Sequence, residues 1–142
     1  MPREQFVSVL KEFSSLVQED LTLGEDNTAT FTVDDDIIIN LNYLNESDTV
    51  IIFSPVGSFG DTEAADAGDK ALALLKLNDL SGAACEVTLM LDGEGDLVLA
   101  ADRRNANTIS SADVFAAWVE LMVKSVRSTR EYFAKHFPLE NQ

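Results

Sequence analysis

The order of the hydrophobic patterns constrains this chain more than any single motif does. A long helical stretch comes first, then three short strand-like stretches, a helix of small residues, a strand pair and a second long helix. Residues 3–20 carry Phe6, Val9, Leu10, Phe13, Leu16 and Val17 at helical spacing, with Lys11, Glu12, Ser15, Gln18 and Glu19 between them. Gly24 fits a stop shortly after. Residues 28–34 alternate Ala29, Phe31 and Val33 against Thr28, Thr30 and Thr32, which predicts a half-buried strand. After the turn Asp34-Asp35-Asp36, residues 37–43 put Ile37, Ile39, Leu41 and Tyr43 on one face and Ile38, Asn40 and Asn42 on the other. Residues 49–54 differ, because Val50, Ile51, Ile52 and Phe53 are apolar on both faces and both sides need cover. Short links between these three strands predict an antiparallel meander.

Pro55, Gly57 and Gly60 mark a loop, and Asp61 is placed to cap a helix over 62–77 that Asn78 closes. Its first half is unusually small: Ala64, Ala65, Ala67, Gly68 and Ala71. Gly68 costs a helix about 1 kcal/mol relative to alanine. It fits either close approach of another backbone or a plain solvated position. Residues 84–102 read as a hairpin, with Cys85, Val87, Leu89 and Leu91 going out and Leu97, Leu99 and Ala101 returning across Asp92-Gly93-Glu94-Gly95-Asp96. Ser110 with Asp113 resembles a capping box for a helix over 111–135, whose stripe is Phe115, Trp118, Val119, Met122, Val123 and Val126. Pro138 ends it. The fold class that follows is α+β: one domain over residues 1–142, an antiparallel sheet packed by helices.

The formal net charge is −15, from 10 basic and 25 acidic residues. Such a surface lacks the Lys/Arg that phosphate and anionic lipid demand, so neither nucleic acid nor a membrane is an expected partner. With no signal-like start and no apolar run near the roughly 18 residues a bilayer needs, the expected compartment is the cytoplasm.

Catalytic chemistry has little to work with. One His and one Cys build neither a zinc site nor a Cys–His nucleophile. Cys85 falls at a core position, and His136 suits the C-terminal end of a helix. Counting twelve residues from Asp92 lands on Arg103, not the closing Glu of a calcium loop. Phosphate-loop, dinucleotide and nucleophile-elbow motifs are absent. No enzyme, metal or cofactor is expected. Trp118 and Phe115 read as core.

The whole pattern resembles class I type III secretion chaperones, the Tir-chaperone-like family. The resemblance rests on element order, size and acidity. Local echoes are Ile37-Ile38-Ile39-Asn40-Leu41, Ala73-Leu74-Leu75-Lys76-Leu77-Asn78 and the hairpin from Val87 to Leu99. It implies a homodimer that holds the extended N-terminal segment of a secretion effector and hands it to the secretion ATPase without consuming nucleotide. The residues make physical sense of this. Ala64, Ala67, Gly68, Ala71 and Leu75 form a small-residue face for a dimer mate. Phe13, Val17, Ile38, Ile51 and Phe53 are the apolar surface assigned to the client. An extended client adds a strand to a free edge. The acidic surface keeps the complex soluble and attracts basic stretches of the client. The segment Ser128–Gln142, with Phe133 and Phe137, is long for the domain and fits packing on the sheet, swapping to the mate or covering the client groove. The alternative is a regulatory or adaptor domain of the same fold with no secretion client.

Overall fold

The structure, a computed structural model, describes residues 2–78, 87–94 and 97–137. Its elements run α1 (Pro2–Val17), β1 (Thr28–Val33), β2 (Ile37–Leu44), β3 (Thr49–Ser58), α2 (Ala67–Leu77), β4 (Thr88–Leu91), β5 (Leu97–Asn105), a 3-10 turn at Ala106–Thr108 and α3 (Ala112–His136). The five strands form one sheet in the order β1-β2-β3-β5-β4, with every neighbouring pair antiparallel. The α+β layout and the three-strand meander therefore stand as the sequence predicts.

One face of the sheet carries the core. Ile37, Ile39, Leu41 and Tyr43 of β2, Val50 and Ile52 of β3, and Val98 and Ala100 of β5 are buried beneath α1 and α3. Burial of these side chains contributes about 1.5–3 kcal/mol for each large aliphatic or aromatic one. The predicted stripe of α3, from Phe115 to Val126, is buried along its length. Trp118 donates its indole N–H to Asp102 Oδ2 at 2.8 Å, so its polar end is satisfied inside the core. Ser54 on β3 is buried, and its hydroxyl has no partner among the described residues.

Several boundaries differ from the sequence prediction for local reasons. Helix α1 stops at Val17, three residues short of the predicted end at 20. Gln18 takes a left-handed conformation (φ 57°), and the Glu19 N–H reaches the Ser14 carbonyl at 3.1 Å, the long-range bond of a Schellman ending. Strand β3 continues past Pro55 because a bulge between Pro55 and Gly57 absorbs the proline. Helix α2 begins at Ala67, not 62. Asp61 accepts from the Glu63 N–H at 2.9 Å and holds a turn instead of capping the helix, so Ala64 lies ahead of it. The cap of α3 is Ser111, which accepts from the Val114 N–H at 3.2 Å, rather than Ser110.

Two tight contacts fix the strand connections. In the β1–β2 turn, Asp34 and Asp35 both have positive φ (53° and 64°), as a type I′ turn requires. Arg127 of α3 donates to Asp34 Oδ2 at 2.6 Å and stands 3.5 Å from Asp36. At the other end of the sheet, the Asn78 side chain closes on β4. Its Oδ1 accepts from the Leu89 N–H at 2.7 Å, and its Nδ2 donates to the Leu89 carbonyl at 3.0 Å. Cys85, Asp96, Pro138 and the residues beyond Pro138 lie outside the described residues, so the readings made for them are not addressed by the structure.

Candidate functional site

The face of the sheet turned away from α1 and α3 divides into a polar half and an apolar half. Strand alternation sends Thr28, Thr30, Thr32, Asn40 and Asn42 to this outer face at the β1–β2 end, where Thr30 donates to Asn40 Oδ1 at 3.1 Å. Toward β3, β5 and β4 the same face turns apolar. Ile51 and Phe53 sit beside Leu99 and Met90, around a shallow depression of about 430 Å³. The register explains the grouping. Phe53 faces Ala101, Met90 faces Leu99, and Ile51 faces Arg103. Cross-strand neighbours of this kind form a continuous surface. Met90 is 40% exposed and Ile38 44%.

The structure thus groups Ile51 and Phe53 and puts Ile38 on the same face, nearer the polar end, where it opposes Thr32. Val17 is exposed at the end of α1, beside the more exposed Leu16. Phe13 is a correction. It lies in the core against Phe115 at 4.8 Å and Phe31 at 5.5 Å between ring centroids, so it is not surface for a client. Met90, Leu97 and Leu99 complete the outer face and were not among the residues assigned from sequence. Their signal was the alternation of β4 and β5, which names the outward set once the inward one is known.

A second surface is the outward side of α2. Gly68 has open space where a Cβ would stand. Leu72 (50% exposed) and Leu75 (70%) follow it at helical spacing. Ala67 and Ala71 are instead half-buried and lean on the protein's own core, and Ala64 precedes the helix. Of the small-residue face expected from sequence, Gly68 and Leu75 stand on the outward side of α2, and the helical spacing adds Leu72 to them.

Among the described residues no group of three or more His, Cys, Asp or Glu side chains is arranged to hold a metal ion. Asp92 spends its carboxylate on the Leu97 N–H at 3.2 Å, closing the hairpin. His136 stacks on Tyr132, with ring centroids 4.3 Å apart, at the end of α3. No helix is long and apolar enough to cross a membrane among the described residues.

Comparison with known proteins places this geometry. The fold is similar to a chain of the HopA1–SchA chaperone–effector complex, with a TM-score of 0.71 at 18% identity over 89% of this chain and 93% of that one. It is similar to the Yersinia pestis type III secretion chaperone SycH, solved with a stable fragment of YscM2 (TM-score 0.63, 22% identity, 87% and 98% covered). A chain of the ExsC–ExsE complex gives a TM-score of 0.72 at 14% identity, with 90% and 92% covered. Among curated protein sequences no relative matches. The family model of the Tir chaperone protein (CesT) matches residues 8–130, from within α1 to Arg130 of α3. With that span of the chain matched and the same fold in solved secretion chaperones, this protein belongs to the Tir chaperone protein (CesT) family.

Proposed function

We propose that this protein is a dimeric cytoplasmic chaperone that binds the N-terminal segment of a type III secretion effector and keeps it competent for secretion, by binding and without nucleotide hydrolysis. The observation that carries the reading is the family match over residues 8–130. Similar structures were solved as a chaperone–effector complex and as a chaperone with a fragment of its partner, which supports a polypeptide as the ligand here. The apolar half of the outer sheet face supports it as well, because surplus apolar surface of this kind asks for a partner. Among the described residues no strand lies beyond β1, so its edge suits an added strand. The outward stripe Gly68, Leu72, Leu75 suits an isologous contact with a second copy.

The test is capture of the tagged full chain from its native cytoplasm, followed by mass spectrometry and co-expression with the partner found. The reading expects one dominant partner, held through its N-terminal segment and unfolded there when alone. A folded signalling protein recovered in its place would replace the chaperone reading with that of an adaptor domain.

A further inference from the structure

One charged residue is buried among the described residues, and it faces a cavity. Lys70 of α2 is 8% exposed. It borders a space of about 320 Å³ between the β3–α2 connection and the last turns of α3, walled by Phe59, Val98, Phe133 and Phe137, with Arg130 at its side. The Lys70 ammonium donates to the Phe59 carbonyl at 3.1 Å and lies 5.8 Å from the centre of the Phe59 ring. Asp66 Oδ2 stands 3.6 Å away, a loose ion pair whose carboxylate is half exposed. An ammonium has three donors, and the Phe59 carbonyl takes one. Burying a cation this thinly satisfied is costly unless an anion joins it.

Arg130 is held at the cavity's side by three backbone carbonyls and stands 3.7 Å from the exposed Asp36 carboxylate. Two of the ten basic residues of an otherwise acidic chain therefore meet at one aromatic cavity. A carboxylate is repelled by most of this surface and welcomed here. The volume lies at the low end for ligand sites and suits one large side chain, not a folded partner. Lys70 also lies on the inward side of α2, opposite Gly68, Leu72 and Leu75, so a second copy on that stripe leaves the cavity free.

We propose that this cavity anchors one aromatic side chain of a bound polypeptide, with an adjoining carboxylate of the same polypeptide paired to Lys70. The inference rests on the proposed function only in taking a polypeptide as the ligand. Its consequence is register: an aromatic–acidic pair in the client is fixed at one place while the rest of the segment is held by less selective apolar contact.

The test uses the full chain, isotope-labelled, titrated with a blocked dipeptide of phenylalanine and glutamate and with the same dipeptide carrying glutamine. The acidic peptide shifts the amide signals of residues 56–59, 70 and 130–137, with an affinity on the order of 1 mM as befits so small a ligand. The glutamine peptide binds at least fivefold more weakly. Lys70→Met makes the two equal, and Ala134→Phe, at an exposed rim position, abolishes both without touching the core. No shift up to 10 mM, equal binding of the two peptides to the unmodified chain, or no effect of Ala134→Phe overturns the proposal. So does tenfold tighter peptide binding on removal of residues 138–142, which would make the chain's own end the occupant. A client captured equally well by Lys70→Met and Ala134→Phe sinks the cavity and leaves the chaperone reading standing. Peptide binding without any client does the reverse.

Discussion

Arg130 on α3 donates its Nε–H to the carbonyl of Val56, 2.8 Å away, at the bulge of β3. Its Nη2 donates to Pro55 at 3.3 Å and its Nη1 to the Asp36 carbonyl at 3.1 Å. A bulge takes carbonyls out of the ladder, and the planar fork of a guanidinium collects them. Three carbonyls on two backbone segments, the bulge of β3 and the β1–β2 turn, are thereby tied to one side chain of the last helix.

Arg130→Ala leaves these carbonyls without their donor and should lower stability by about 2 kcal/mol. Arg130→Lys should recover little, because one ammonium cannot span the fork. Urea unfolding decides it. A loss under about 0.5 kcal/mol for the alanine variant would mean water replaces the clamp at no cost.

Tyr43 gives the fold a signature at high pH. Burial, then the hydrogen bond to Asp48 (2.8 Å) and its charge, push the phenol up to about 12 from its ordinary 10. The folded chain thus keeps this proton to higher pH than the unfolded chain does. Stability is full below pH 10 and falls as pH rises from 10 toward 12. Tyr43→Phe should flatten that part of the curve while costing about 1 kcal/mol at neutral pH. Unfolding midpoints from pH 8 to 11.5 check both.

The orphaned hydroxyl of Ser54 makes an unusual prediction for a core residue. Ser54→Ala removes an unsatisfied buried group and almost no volume. It should stabilise the protein by about 1 kcal/mol, read as a rise in the urea midpoint. A loss of the same size would reveal a partner bound to that oxygen in solution.

Asp35 holds a left-handed conformation that costs a non-glycine residue about 1 kcal/mol. Asp35→Gly should therefore raise Tm by roughly 3 °C. Asp34→Gly should gain less, because it also gives up Arg127. Equal gains from the two would show that the Arg127 contact is negligible.

On α2, Leu72→Glu with Leu75→Glu should halve the mass seen by light scattering and leave the subunit's fold intact, since both side chains are exposed. An unchanged mass would move the interface elsewhere.

Much of this architecture was readable because periodicity reports which face is inward. The alternation of Ile37, Ile39, Leu41 and Tyr43, and the stripe from Phe115 to Val126, needed nothing beyond spacing. Some misses share a cause: a tertiary partner decided a local question. Pro55 argued for a strand end, yet the strand runs on because Arg130 serves the bulge from a residue 74 positions away along the chain. Phe13 shares the helical stripe of Phe6, Val9 and Leu10, and Phe31 and Phe115 close over it there, so its assignment to the client surface ran against the spacing. Adjacent Ser110 and Ser111 carry the same capping chemistry, and a one-residue choice between them lies below what pattern resolves. The cavity at Lys70 gave no signal at all, because its lining comes from four parts of the chain.

The two hydrogen bonds between the Asn78 side chain and Leu89, one donated and one accepted, occupy the outward donor and acceptor at the middle of β4. A side-chain amide there acts as a surrogate strand one residue long. The sheet consequently has a closed end and an open end, β4 and β1. A protein that offers strand edges to unfolded polypeptides risks stacking copies of itself edge to edge into fibres. Growth of that kind needs two open ends per molecule, and with β4 sealed it terminates after a single addition.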